Sequence, residues 1–251
     1  MKFICLLFTL LICACANQKS VVAKNQQTDI PNNSNNKIVN KKADANGKVI
    51  WKSNFSETEK INGQTIPKGW KIKGTSSGVP KTKFNVVKDE NENPVLHMLS
   101  EKGIGGLMVE LKNVDLNKSP IMRWKWKTIV LPKNGDGRKP ELGDQACEIY
   151  VISGSLFSQK CVAYTWETDT PKNASQSFSV FLGAFKAKWF CVRNKTDGLN
   201  KWYVEERNVA KDFKDTYDFV PDEVAVMVFC KADKTKTKSE SEIAFIEFLK
   251  Q

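Results

Sequence analysis

The chain has 251 residues, 41% of them hydrophobic, and carries 39 Lys plus Arg against 28 Asp plus Glu, a formal charge of +11. Its single histidine, His97, excludes an HExxH metalloprotease and leaves any Ser-His-Asp triad dependent on that one residue; no Ser stands in a Gly-x-Ser-x-Gly elbow. The lysines are scattered rather than clustered, which argues against a nucleic-acid partner, and the net charge suits either an anionic polymer or an evenly solvated surface.

The N-terminus combines Lys2, an apolar run from Phe3 to Ala14 and an abrupt polar change at Asn17. That order reads as a secretory signal, too short for a spanning helix. Within it, Ile12-Cys13-Ala14-Cys15 has the apolar, small, Cys order of a lipobox, so residues 1–14 are expected to leave and Cys15 to carry lipid. Membrane contact would then run through that anchor alone. In a cell with two membranes, the lack of Asp after Cys15 fits sorting to the outer one. Residues 15–46, rich in Asn, Gln, Lys and Ser, cannot bury enough apolar surface to offset ordering and read as a tether. Lys2 and the net three positive charges of the tether leave the remainder, residues 47–251, at +7.

From Gly47 the composition becomes that of one folded domain. Val49 and Trp51 open a strand, and Pro67-Lys68-Gly69-Trp70 turns into Lys71-Ile72-Lys73. Alternating runs follow at Lys83 to Lys88, Val95 to Leu99 and Gly106 to Lys112, with Gly103 to Gly106 as a turn or bulge. From Arg123, Trp124, Trp126 and Thr128 share one face while Arg123, Lys125 and Lys127 share the other. A loop with Pro132, Gly135, Gly137, Pro140 and Gly143 leads to a second strand on which Cys147, Ile149 and Val151 form an uncharged face. Further strands are expected at Cys161 to Glu167, Phe178 to Gly183, Lys188 to Arg193, Lys201 to Arg207, Glu223 to Cys230 and Glu242 to Leu249. Lys234 to Ser241 reads as an exposed hairpin loop. One segment differs: Val209, Phe213 and Tyr217 recur every four residues after Asn208, the pattern of a short N-capped helix. Many short strands between turn signals argue for an all-β sandwich or barrel.

Trp124-x-Trp126, Gly143-Asp144, Tyr150-Val151, Tyr164-x-Trp166, Trp202, Glu206-Arg207-Asn208-Val209, Asp212-Phe213 and Asp233 together resemble, in order, a bacterial envelope family known as domain of unknown function 3047, from about Trp51 to Phe248. The resemblance implies a jelly-roll-like two-sheet β-sandwich with one short capping helix, similar to carbohydrate-binding and lectin-like domains, with no agreed activity. The chain departs from the family pattern at Gln145, where an Asp is usual, at Glu148, where an Arg is usual, and at Lys231, where the first Asp of a closing Asp-x-Asp pair is usual. If the family's acidic positions hold a cation or a sugar, those departures weaken the site.

Cys147, Cys161, Cys191 and Cys230 allow disulfides in an exported protein, or serve as small buried hydrophobes; they lack the spacing and histidines of a zinc site. No cofactor and no metal is expected. Asp144 and Asp233 could offer oxygens to Ca²⁺, but the partners for a closed shell are missing. The seven tryptophans pose a choice between core packing and an exposed platform on which sugar rings stack. The favoured reading is non-catalytic binding of a glycan or other envelope polymer, with Trp124, Trp126, Tyr164 and Trp166 as stacking surfaces and Asp144 and Arg207 as hydroxyl or anion partners. Two alternatives stand beside it. One is a polysaccharide hydrolase or lyase, which needs two acids, or an acid with Tyr150 or Tyr164, converging in one groove; the other is a structural, partner-binding lipoprotein.

Overall fold

A computed structural model describes residues 47–155 and 157–250. The signal, the proposed lipid acceptor Cys15 and the tether lie outside the described residues. Among the described residues, thirteen of fifteen strands make two main sheets, and there is one short α-helix. The strands are β1 (Val49–Ser53), β2 (Thr58–Ile61), β3 (Gln64–Pro67), β4 (Lys71–Lys73), β5 (Lys83–Lys88), β6 (Pro94–Glu101), β7 (Gly106–Leu111), β8 (Ile121–Val130), β9 (Cys147–Ser153), β10 (Gln159–Trp166), β11 (Ser175–Val180), β12 (Phe185–Arg193), β13 (Tyr203–Asn208), β14 (Val224–Phe229) and β15 (Lys238–Leu249), and the helix α1 is Val209–Tyr217.

The first sheet runs β13-β8-β15-β6-β5 and the second β11-β12-β10-β9-β14-β7-β4, with β2 and β3 forming a separate hairpin. β15 is the spine of the first sheet: β8 pairs with it from Glu240 to Leu249, while β6 and β1 share the other edge, β6 on Lys238 to Ile243 and β1 on Ile246 to Leu249. Within the two sheets the strands pair antiparallel except β10 with β12. The all-β two-sheet sandwich is thus the observed architecture, and Val224 to Phe229 is an interior strand, between β9 and β7.

Alternation decides what lies between the sheets. Met122, Trp124 and Trp126 of β8, Ile243, Ile246 and Phe248 of β15, and Leu107, Ile149, Val151, Val162, Tyr164 and Val226 of the second sheet form one buried apolar cluster. The outer face of the second sheet carries another: Met108, Tyr150, Ile152, Ala163, Trp189, Met227 and Phe229. Burying both faces is why β14 shows no polar side in sequence. On β7, Gly106 is required for space, since an added Cβ would meet Met227 Cε and Val228 O at 2.7 Å.

Several bounds differ from the sequence reading: β12 begins at Phe185 rather than Lys188, β13 at Tyr203 rather than Lys201, and the β2–β3 hairpin was not expected. The expected run from Phe178 to Gly183 is a strand over Ser175–Val180 followed by a 3-10 turn at Phe181–Gly183. The expected loop Lys234 to Ser241 is a loop only to Thr237, because β15 begins at Lys238. Ser239 and Ser241 are fully buried there, and their hydroxyls donate to Lys231 O at 2.9 Å and Ala146 O at 2.7 Å. Two serines on the inward face gave the strand start the look of a turn. The helix forms as expected: Asn208 Oδ1 accepts from Lys211 N at 2.8 Å, and Val209 and Phe213 are buried. All four domain cysteines are buried free thiols; burial pushes Cys191 and Cys230 up to about 12.

Candidate functional site

The four aromatic residues expected to form a stacking platform meet in the core. Trp124 and Trp126 come from the first sheet and Tyr164 and Trp166 from the second, each with no exposed surface. Trp124 lies edge-on to Trp126 at 5.5 Å and stacks on Tyr164 at 5.2 Å, while Trp126 reaches Trp166 at 5.5 Å. The expectation of stacking surfaces is corrected here for a simple reason: the even-numbered face of β8 is the one turned toward the other sheet. Trp126 Nε1 donates to Glu205 Oε1 at 3.2 Å, which secures one indole across the edge strand β13.

Arg207 closes one edge of this cluster rather than standing free. Its guanidinium donates to both oxygens of Asp212 at 3.0 Å and lies over Tyr164 and Phe190. Tyr164 OH donates to the same Asp212 at 2.7 Å. The expected neighbour Glu206 is exposed and takes no part in that pair. His97, the lone histidine, is satisfied by Glu240 at 2.9 Å.

Asp144 belongs to a buried polar network where the loop before β9 meets the loop between β14 and β15. Its Oδ2 accepts from Thr235 N at 2.6 Å and Thr235 Oγ1 at 2.8 Å, and Asp144 has no exposed surface. Next to it Lys231 Nζ lies 3.1 Å from Glu148 Oε2, and Tyr150 OH donates to Glu148 Oε1 at 3.2 Å. Burial pulls the Lys231 ammonium down, but Glu148, Asp144 and Asp233 outweigh it and hold its pKa above the ordinary value. Burial pushes Glu148 up, with Lys231 and Tyr150 as partial offsets. Glu148 and Lys231, two of the three departures from the family pattern, are therefore each other's partners.

Glu167 extends the network. Its Oε2 accepts from Gly137 N at 3.1 Å, Thr170 Oγ1 at 3.0 Å and Gln145 Nε2 at 3.5 Å, while burial and then the Glu148 charge push it up to about 7. Thr170 Oγ1 also lies 3.1 Å from Asp136 Oδ1, its one proton shared between the two carboxylates, and Arg138 grips Asp136 with two hydrogen bonds at 2.8 and 2.7 Å and holds it at about 2. Among the described residues, no group of three or more His, Cys, Asp or Glu is arranged to hold a metal ion. These acids converge, yet Glu148 is 3% exposed and Asp144 and Glu167 are wholly enclosed, which leaves no room beside them for a substrate.

Open space lies elsewhere. A groove of about 760 Å³ runs between the C-terminal end of α1 and the β10-β12-β11 edge of the second sheet. Here the inner face of that sheet continues past the cover of the first, and its side chains change from apolar to polar: Ser177 and Ser179 on β11, Lys186 on β12, Lys160 on β10. Tyr217 pins the helix across the groove, its hydroxyl 2.7 Å from Cys161 O and 3.1 Å from Lys186 O. Asp215 and Asp218 at the rim are already paired with Lys211 and Lys214. Lys160 lies over Phe219, 4.4 Å from the ring centroid, and among the described residues neither it nor Lys186 has a carboxylate partner. Sequence reasoning missed this groove. The signal that could have found it is the alternation in Ser175-x-Ser177-x-Ser179 and Lys186-x-Lys188, which makes one face of an edge polar where a sandwich interior would be apolar. A smaller cleft of about 390 Å³ lies beside Trp51 and Trp70, where Lys68 is paired with Glu57.

The family model described as "Protein of unknown function (DUF3047)" matches residues 68–247. The chain belongs to this family. No curated protein matches the DUF3047 sequence described here. Among solved structures, the family 11 carbohydrate-binding module of a cellulosomal cellulase of Clostridium thermocellum is similar at 10% identity and a TM-score of 0.40, covering 82% of this chain and 95% of that one. TmCBM61 in complex with β-1,4-galactotriose is similar at 8% identity and a TM-score of 0.35, covering 73% and 90%. The carbohydrate recognition domain of Emp47p follows at 13% identity and 0.33, covering 83% and 99%. At such distances none of these likenesses bears on what this chain binds.

Proposed function

We propose that this DUF3047 protein is a non-catalytic binder of a glycan or other envelope polymer, exported and held at the envelope through lipid on Cys15. The observation that carries the binding reading is the groove beside α1. Its size suits an oligomer segment, and its lining pairs the Tyr217 ring with hydroxyls and two ammonium groups that lack carboxylate partners. No two carboxylates face each other across it with a free oxygen pair, as glycoside hydrolysis requires, because Asp215 and Asp218 are engaged with lysines. Unpaired ammonium groups favour a polymer with carboxylate or phosphate substituents over a neutral one.

The test is affinity electrophoresis of the chain from Gly47 onward through gels containing neutral or acidic polysaccharides. Retardation by an acidic polymer, reduced in Lys186→Ala, is the expected result; Lys186 is exposed, so that variant keeps its fold. Equal mobility in every gel would sink the reading. The hydrolase alternative would have to use the Tyr150–Glu148–Lys231 contact beside Glu167, which brings an acid and Tyr150 together but is enclosed and would have to open to admit a substrate. Release of reducing ends from a retarding polymer, abolished in Glu148→Gln, would favour it over simple binding.

A further inference from the structure

Two large apolar side chains stand exposed at the same end of the second sheet. Phe157, in the turn between β9 and β10, is 75% exposed, and Leu182, in the turn between β11 and β12, is fully exposed. The two turns are neighbours because β10 and β12 run parallel: Gln159 pairs with Phe185, and Gln159 N donates to Ala184 O at 2.7 Å. Phe157 and Leu182 each precede one of those contact residues by two, so both stand at the same end of adjacent strands. A single exposed apolar residue is ordinary. Leu182, however, sits at φ +55, a left-handed turn position that Gly or Asn takes with less strain, and it has no packing to explain the choice.

Lysines surround this tip. Lys160 and Lys186 are register partners directly behind it, with Lys188 one face-step further along β12. The acids at this side are neutralised, Asp215 by Lys211 and Asp218 by Lys214; Asp222 and Glu223 are exposed, but at the start of β14, two strands away from β10. Apolar tips ahead of ammonium groups match the layering of an anionic bilayer surface, where side chains enter the acyl boundary and lysines remain at the phosphates. A protein interface would present a broader contiguous apolar core, and a sugar platform would set hydroxyl partners beside its ring, whereas Phe157 is joined at this tip by the aliphatic Leu182.

We propose that the β9–β10 and β11–β12 turns dock this domain onto an anionic lipid surface through Phe157 and Leu182, steered by Lys160 and Lys186. This goes beyond the polymer reading and does not rest on it. The test uses the full chain with Cys5, Cys13 and Cys15 changed to serine and an environment-sensitive fluorophore on Leu182→Cys, the four domain thiols being buried. Vesicles of phosphatidylcholine with phosphatidylglycerol should shift the emission to the blue and allow quenching by spin-labelled acyl chains. Phosphatidylcholine alone should do neither. The same probe at Glu90→Cys, in the β5–β6 turn of the other sheet, should stay unchanged, and Lys160→Glu with Lys186→Glu should remove most of the effect at position 182. The readout is local to the tip, so attachment of the chain by any other segment does not imitate it. No shift at position 182, an equal shift at both positions, or a shift given by free acidic polysaccharide but not by vesicles would overturn the proposal.

Discussion

Trp126 touches rings from both sheets and has no exposed surface, so its removal leaves a hole that the flanking strands cannot close. Trp126→Ala is expected to cost about 3–5 kcal/mol, read as a fall in the denaturant midpoint with the variant's fold otherwise retained or lost outright. A stable variant that merely lost ligand binding would mean that the ring is a platform after all. The sequence separated the faces of residues 123 to 128 correctly but left open which face was core. Period two says which residues share a side, whereas the side that meets another sheet depends on partners far along the chain, here Tyr164 and Trp166. Glu167 makes a second case at this scale. Burial and Glu148 hold it at about 7 against an ordinary 4.5, so the folded state retains its proton to a higher pH than the unfolded chain does. Its contribution is therefore present below the unfolded pKa and lost as pH rises through about 7, a change on the order of 3 kcal/mol. Urea midpoints should fall between about pH 5 and about pH 8, and Glu167→Gln, which keeps an acceptor for Gly137 N and Thr170, should flatten that fall. An unchanged pH profile in the variant would remove Glu167 as its source.

Glu148 on β9 and Lys231 just after β14 join neighbouring elements across the mouth of the second sheet, with the loop carrying Asp144 stacked against them. Removing one partner strands a buried charge. Lys231→Met alone is expected to cost about 3–5 kcal/mol, and adding Glu148→Leu should restore most of the loss, since the pair can be replaced by packed apolar groups. Thermal unfolding of the two single variants and the double variant checks this; additive losses would show the two groups to be independent. From sequence the same residues read as weakened family positions, because their pairing depends on strand order, and only β9 lying beside β14 makes them neighbours. Element bounds were legible at β5, β9 and β14, where the inward face is apolar, while the start of β12 and the β2–β3 hairpin were not. They slipped at β15, where Ser239 and Ser241 supply the inward face, and at the β11–β12 turn.

For the whole molecule, two sheets enclose one aromatic-rich core, a second apolar cluster covers the outer face of the second sheet, and the acids that might do chemistry are sealed beneath a loop. What remains open is the lysine and hydroxyl groove beside α1, formed because the second sheet extends past the first. Its residues come from four elements separated by long stretches of chain, so no local pattern announces the assembled site. The measurement that bears most directly on the binding account is a titration of the amide NMR spectrum of residues 47–251 with a fragment of a retarding acidic polymer. Shifts concentrated at Ser177, Ser179, Lys186 and Thr216 are the predicted result. Shifts concentrated instead at Glu148, Tyr150 and Trp189, or none anywhere at saturating fragment, would contradict it.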